Sequence, residues 1–225
     1  MEIWEIPLSK RQLRGYFYKA GDGKKPAILY LHDLLGVQET THEAAMALSR
    51  EGFHVLIVDL FSGGGIVPYC LHYVFNTLTL LNEENSPGVL EARELVGFLR
   101  NRPEVDAQRL GFVGQCLTGG YALHAALWPG VRAPVVFHHS LGLWGSGFPQ
   151  SCAQRVATTI QGHFSHFDIF CPPWRIAELE KQLGERLERH DYQLPHAIPH
   201  LFSRTEEGRR AWHNMLRFFH EKLGS

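Results

Sequence analysis

The chain has 225 residues, 44% hydrophobic and 20% charged, which suits one well-buried α/β domain and excludes a disordered, collagen-like or coiled-coil chain. Lys and Arg total 22 and Asp and Glu 23, a formal charge of −1, so no basic surface awaits nucleic acid or an anionic membrane and the expected partner is a small molecule. Cys70, Cys116, Cys152 and Cys171 show no paired spacing and are expected to be reduced. The opening Met1-Glu2-Ile3-Trp4-Glu5 is not a charged-then-apolar leader. No apolar run approaches the roughly 18 residues of a membrane span, and a cytoplasmic protein is expected.

Short β-rich runs alternate with helical periods from residue 1 to 225, predicting a single domain with a mostly parallel sheet flanked by helices on both faces. Glu2 to Pro7 and Arg14 to Lys19 read as early strands, and Ala27 to Leu31 as a strand buried on both faces. A helix follows from about Thr41 to Arg50, then a strand from Phe53 to Asp59. Leu60 to Pro87 is too long for an ordinary connection and is expected to wall a pocket, with Tyr69, His72 and Tyr73 as its polar groups. Its Gly63-Gly64-Gly65 run lacks the Lys-Ser/Thr pair and the strand-loop-helix frame of a phosphate loop.

Ala92, Leu95, Val96 and Leu99 mark a helical face, and Asp106 to Arg109 a turn into the strand Leu110 to Val113. Leu117 to Leu127, almost wholly small or apolar, predicts a buried helix. Pro134 to Phe137 and Ala157 to Gln161 read as strands, and Ile176, Leu179, Leu183 and Leu187 as an amphipathic helix. A strand around Tyr192 to Leu194 precedes a final helix carrying Trp212, Met215, Leu216, Phe219 and Leu223.

The segment Leu110-Gly111-Phe112-Val113-Gly114-Gln115-Cys116-Leu117-Thr118-Gly119-Gly120 places a cysteine between a buried strand and a buried helix. This is the pattern of a nucleophile elbow, a sharp turn flanked by small residues that lifts the side chain above the sheet. At the start of a helix the thiolate is favoured. The competing reading is a buried structural cysteine. Thr118 occupies the place where a second glycine is usual and Gly119 follows, so a slightly wider elbow is expected. Ser140, in His139-Ser140-Leu141-Gly142, is a rival nucleophile without a preceding glycine.

A triad on such a fold runs nucleophile, acid, histidine along the chain, the latter two on loops after later strands. Asp168 lies after the strand ending near Gln161, and His196 and His200 follow the last predicted strand. His200 is preferred because it lies nearer the terminal helix.

Cys116-Leu117-Thr118-Gly119-Gly120, Asp168-Ile169-Phe170-Cys171-Pro172 and Pro199-His200-Leu201-Phe202-Ser203-Arg204-Thr205 together resemble the signature segments of the dienelactone hydrolase family, the carboxymethylenebutenolidases and their relatives. The resemblance runs from Ile28 to Leu223 and implies an α/β-hydrolase fold with a cysteine nucleophile. It places the triad at Cys116, Asp168 and His200, with Arg204 where the family binds a substrate carboxylate, and implies no cofactor. Leu31-His32-Asp33-Leu34-Leu35-Gly36-Val37 matches the loop that supplies one oxyanion-hole N–H, here Leu34, the other being Leu117. Asp33 stands where the family has a glutamate that pairs with the resting cysteine. Its alternative role is that of a turn residue.

The expected activity is cleavage of an ester or lactone, by a monomer or homodimer. A broader carboxylesterase or thioesterase would use the same site without Arg204. A metal site built from His163, His166 and Asp168 or from His196 and His200 competes from another class, although Pro199 interrupts the second pair. A non-catalytic family member binding a carboxylate ligand is the remaining alternative.

Overall fold

In the computed structural model, which describes residues 1–65, 67, 83–140, 145–195 and 205–224, the apolar runs assemble into one eight-stranded sheet. The strands are β1 (Glu2–Pro7), β2 (Gln12–Tyr18), β3 (Lys25–Leu31), β4 (His54–Asp59), β5 (Val105–Gln115), β6 (Val131–Phe137), β7 (Ile160–Phe167) and β8 (Leu187–Pro195). They lie in the order β1-β2-β4-β3-β5-β6-β7-β8. β2 is antiparallel to β1 and β4, and β3 to β8 all run parallel. Among the described residues the helices are α1 (Glu39–Arg50), α2 (Pro87–Arg100), α3 (Gly119–Ala125), α4 (Gln150–Ala153), α5 (Pro173–Leu183) and α6 (Glu206–Leu223).

The period of two along each strand divides the core into two layers. Ala27, Leu29, Leu31, Leu56 and Val58 belong to the same buried layer as Leu95 and Leu99 of α2, Leu123 of α3 and Leu179 of α5. Ile28, Tyr30, Val55 and Ile57 face the opposite way, toward Ala45 and Leu48 of α1 and Met215, Phe218 and Phe219 of α6. Each buried Leu, Ile or Phe contributes about 1.5–3 kcal/mol of transfer free energy. Gly111, at the centre of β5, lets α6 and the sheet close in: a Cβ there would lie 3.0 Å from the Phe219 side chain and 3.1 Å from that of Ile28, and both would have to shift. The sheet and both helical layers are those expected from the sequence.

Several boundaries differ from the sequence reading, each for a tertiary reason. Asp106 to Arg109 is a bulged stretch inside β5, since the partner register jumps from Lys25↔Val105 to Ala27↔Leu110. Asp106 folds that stretch by accepting the Gln108 N–H at 3.0 Å and Arg109 Nε–H at 2.7 Å. β7 begins at Ile160 and runs on to Phe167 through polar residues that looked loop-like. There, buried His163 donates from Nε2 to Gln161 Oε1 and accepts the Tyr192 hydroxyl at Nδ1, both at 2.9 Å, so its polar atoms are satisfied within the sheet. β8 likewise begins at Leu187, which belongs to the strand rather than to the preceding helix. Its charged run suits an edge, and Arg189 pairs with Glu180 and Asp191 at 2.7 and 2.9 Å. The predicted helix over 117–127 is a 3-10 turn, Cys116–Thr118, followed by the shorter α3. Most of the long stretch after Leu60, with Tyr69, His72 and Tyr73, lies outside the described residues.

Candidate active site

The carboxyl ends of β3, β5, β6 and β7 converge on one edge of the parallel sheet, where open α/β sheets hold their ligands. Cys116 follows β5 directly and has φ of 54°, a left-handed conformation that costs a non-glycine residue about 1–3 kcal/mol. Two glycines make this corner possible. A Cβ on Gly114 would fall 2.2 Å from the carbonyl oxygen of Thr118, and one on Gly119 would fall 1.9 Å from the carbonyl oxygen of His138.

Thr118, the apparent departure from the elbow pattern, ties the turn to its neighbours. Its fully buried hydroxyl accepts the Gln115 N–H at 2.8 Å, and its single proton faces the carbonyls of Leu31, Gln115 and His32 at 3.1, 3.1 and 3.2 Å. A glycine here would lose the link between the Cys116 turn and the end of β3. The close approach that demands a glycine lies one residue later, at Gly119 against β6.

The loop after β3 is fixed by His32. The Leu60 N–H donates to His32 Nε2 at 3.0 Å, so the ring proton resides on Nδ1, which donates to the carbonyl oxygen of Asp33 at 2.6 Å. Burial holds the His32 pKa below the ordinary histidine range, keeping the ring neutral. Asp33 closes the turn itself: Oδ1 accepts the Leu35 N–H at 2.8 Å and its carbonyl accepts the Gly36 N–H at 3.2 Å. Leu34 is exposed at the tip of this loop and Leu117 is buried in the Cys116 turn.

At the ends of β6 and β7 the chemistry is richer than the sequence suggested. Asp168 directly follows β7, and its Oδ1 accepts the N–H groups of Phe170 and Cys171 at 2.8 and 3.1 Å. Oδ2 lies 3.1 Å from Nδ1 of His138, with both side chains essentially inaccessible to solvent. His138 follows β6 and, like Cys116, holds a positive φ, 53°. Buried His139 has its pKa pushed down to about 3, by desolvation first and then by the Arg175 cation. Burial pushes the Cys171 thiol up to about 12. Ser140, the rival nucleophile, sits beside Cys116 with its Oγ 3.6 Å from Sγ and its N–H donating to the Cys116 carbonyl at 3.2 Å.

Cys116, Leu117, Asp168, Asp33 and Leu34 therefore stand on the turns after β5, β7 and β3. His200, Arg204 and His196 lie outside the described residues. Cys116, Cys152 and Cys171 are free thiols. Among the described residues no group of three or more His, Cys, Asp or Glu side chains is placed to hold a metal ion. Sequence reasoning missed His138, His32 and Arg175. A signal for the first was present, in two histidines and a serine directly following an apolar strand.

Residues 13–223 match the model of the dienelactone hydrolase family. A Bradyrhizobium protein named as a 2-oxo-3-(5-oxofuran-2-ylidene)propanoate lactonase is 24% identical over 206 residues, covering 86% of this chain and 83% of its own. A Synechocystis protein named as a carboxymethylenebutenolidase is 20% identical over 202 residues, covering 86% and 80%. Among solved structures, a Klebsiella pneumoniae protein named as a dienelactone hydrolase superposes with a TM-score of 0.76 at 21% identity, over 97% of each chain. The sheet order, the helical layers and this likeness make the fold that of an α/β hydrolase. The chain belongs to the dienelactone hydrolase family and is a carboxylic ester hydrolase.

Proposed function

We propose that the chain cleaves an ester or lactone through Cys116, Asp168 and His200 by way of a thioester. The observation that carries this reading is Cys116 held at φ 54° on the turn between β5 and α3, with glycines where β-carbons would collide. His200 takes the Cys116 proton, and the thiolate attacks the carbonyl carbon while the π electrons move to oxygen. The N–H groups of Leu34 and Leu117 stabilise that oxyanion. Collapse breaks the ester C–O bond, and the leaving oxygen takes the proton from His200. His200 then deprotonates a water that attacks the thioester, releasing the acid and restoring the thiol. Asp168 orients the imidazole. Arg204 meets a carboxylate on the substrate, the group that a lactone of the relatives' kind carries, and Asp33 shapes the pocket beside it. In this reading residues 1–225 form one cytoplasmic domain, acting without a cofactor as a monomer or homodimer. Among the described residues no helix is long and apolar enough to cross a membrane.

One observation favours a broader carboxylesterase or thioesterase. Ile169, Phe170 and Trp174, beside Asp168, are 85%, 57% and 73% exposed, an apolar rim suited to a neutral acyl or alcohol group. The test is hydrolysis of a dienelactone, followed by ultraviolet absorbance, beside a panel of neutral esters and thioesters with wild type and Arg204→Ala. Loss of the acidic substrate alone in the variant supports the lactone reading, and equal rates on neutral esters support the broader one. A wild-type protein inactive on the whole panel would contradict both.

A further inference from the structure

We propose that His138 is a positioning residue for Asp168, holding the second carboxylate oxygen while the backbone holds the first. This rests on the reading of Asp168 as the catalytic acid. The Asp168 carboxylate is fully buried, and a buried charge needs donors on both oxygens. Oδ1 has the N–H groups of Phe170 and Cys171. Oδ2 has Nδ1 of His138 at 3.1 Å.

The two groups stand at ion-pair distance without the direction of a well-formed hydrogen bond. His139, Arg175 and Cys171 also act electrostatically on Asp168 or are acted on by it. His138 differs from them in bringing a ring nitrogen to ion-pair distance of the carboxylate.

The backbone supports the same assignment. His138 is held at φ 53°, and strain of this kind persists only where the surroundings fix it. Its N–H donates to the His163 carbonyl at 3.0 Å, and its own carbonyl packs where Gly119 lacks a side chain. Two residues on, the Ser140 N–H donates to the carbonyl of Cys116 at 3.2 Å. The three residues after β6 therefore touch both ends of the proposed machinery, Asp168 through His138 and Cys116 through Ser140. The sheet order places them between the two, since β6 lies between β5 and β7.

The test compares His138→Asn with His138→Gly. Both residues tolerate a left-handed backbone, and only asparagine offers a donor near the place of Nδ1. Two readouts are taken: steady-state kinetics on an ester that the wild type hydrolyses, and the rate of Cys116 alkylation by iodoacetamide, followed by peptide mass. Asp168→Asn is the reference.

The expected result is that His138→Gly lowers kcat by about 10-fold with KM changed less than about twofold, and slows alkylation in the same direction as Asp168→Asn. His138→Asn should stay within about threefold of wild type in both. Should His138→Gly fail to fold, judged by its melting curve, His138→Ser replaces it, its hydroxyl being too short to reach Oδ2. Wild-type labelling and turnover in the Gly or Ser variant would overturn the proposal, as would equal losses in Asn and Gly. A His138→Asn variant as inactive as Cys116→Ala would also overturn it, making the imidazole itself the base. If Asp168→Asn leaves alkylation unchanged, the reading of Asp168 as the acid fails. If it slows alkylation and His138→Gly does not, only the role of His138 fails.

Discussion

The two corners of the site, one at the ends of β3 and β5 and the other at the ends of β6 and β7, are built on different physics. At the first, Thr118 and His32 engage backbone partners through neutral hydrogen bonds, which hold the Cys116 turn against the loop of Asp33 and Leu34. At the second, a buried carboxylate, two buried imidazoles and the Arg175 guanidinium act on one another, and His138 stands 3.1 Å from Asp168 without a well-directed hydrogen bond. The first corner fixes geometry, and the second sets charge. Substitutions of the supporting residues should therefore separate them, with stability following Thr118 and His32 and chemistry following Asp168 and His138.

Among the residues that support the nucleophile, the largest effect on chemistry is expected from Asp168→Asn. It keeps the shape but removes the charge proposed to support the His200 imidazole, and should lower kcat by about 10³–10⁴-fold with the melting temperature little changed. The largest effect on stability is expected from Gly119→Ala, which would drive a Cβ to 1.9 Å from the His138 carbonyl where the two corners meet. Thermal or urea unfolding should show a loss of about 4 kcal/mol or more.

Thr118→Val is nearly isosteric but leaves the Gln115 N–H without its acceptor. A loss of about 1–3 kcal/mol is expected in urea titration, with activity falling only as far as the turn loosens. A wild-type melting curve for Thr118→Val would break the distinction between the corners.

The smallest effect is one of slope. His32, His139 and His163 all have pKa values lowered by burial, His139 to about 3. In each case the unfolded chain takes up a proton near its ordinary pKa of about 6.5 while the folded one does not. Stability should therefore be full above that pH and decline as pH falls toward 3, the folded value for His139. His139→Phe should flatten part of this acid limb in unfolding titrations, and an unchanged slope would show that His139 is not held neutral by its surroundings.

How much of this was legible in the sequence follows from the range of each interaction. The Cys116 turn could be read because its requirements are local: an apolar strand, close glycines and a helix within eleven residues. Asp168 could be read as a residue after a strand, although the strand's true end at Phe167 depended on His163 finding Gln161 and Tyr192, partners that period and propensity do not reveal. Thr118 stood out only as a departure, since its role lies in carbonyls 86 and 87 positions earlier in the chain. His138 gave still less, because its contact with Asp168 exists only once β6 and β7 are side by side. Leu187 was misread because its spacing fits a helix while its pairing with Ile160 makes it strand.

Cys116 and Ser140 lie 3.6 Å apart at the same corner, so the most direct measurement is the hydrolysis rate of one ester by wild type, Cys116→Ala and Ser140→Ala under identical conditions. Loss of about 10⁴-fold or more in Cys116→Ala, with Ser140→Ala within about 10-fold of wild type, is the expected result. Hydrolysis retained by Cys116→Ala, or abolished by Ser140→Ala alone, would contradict a cysteine nucleophile.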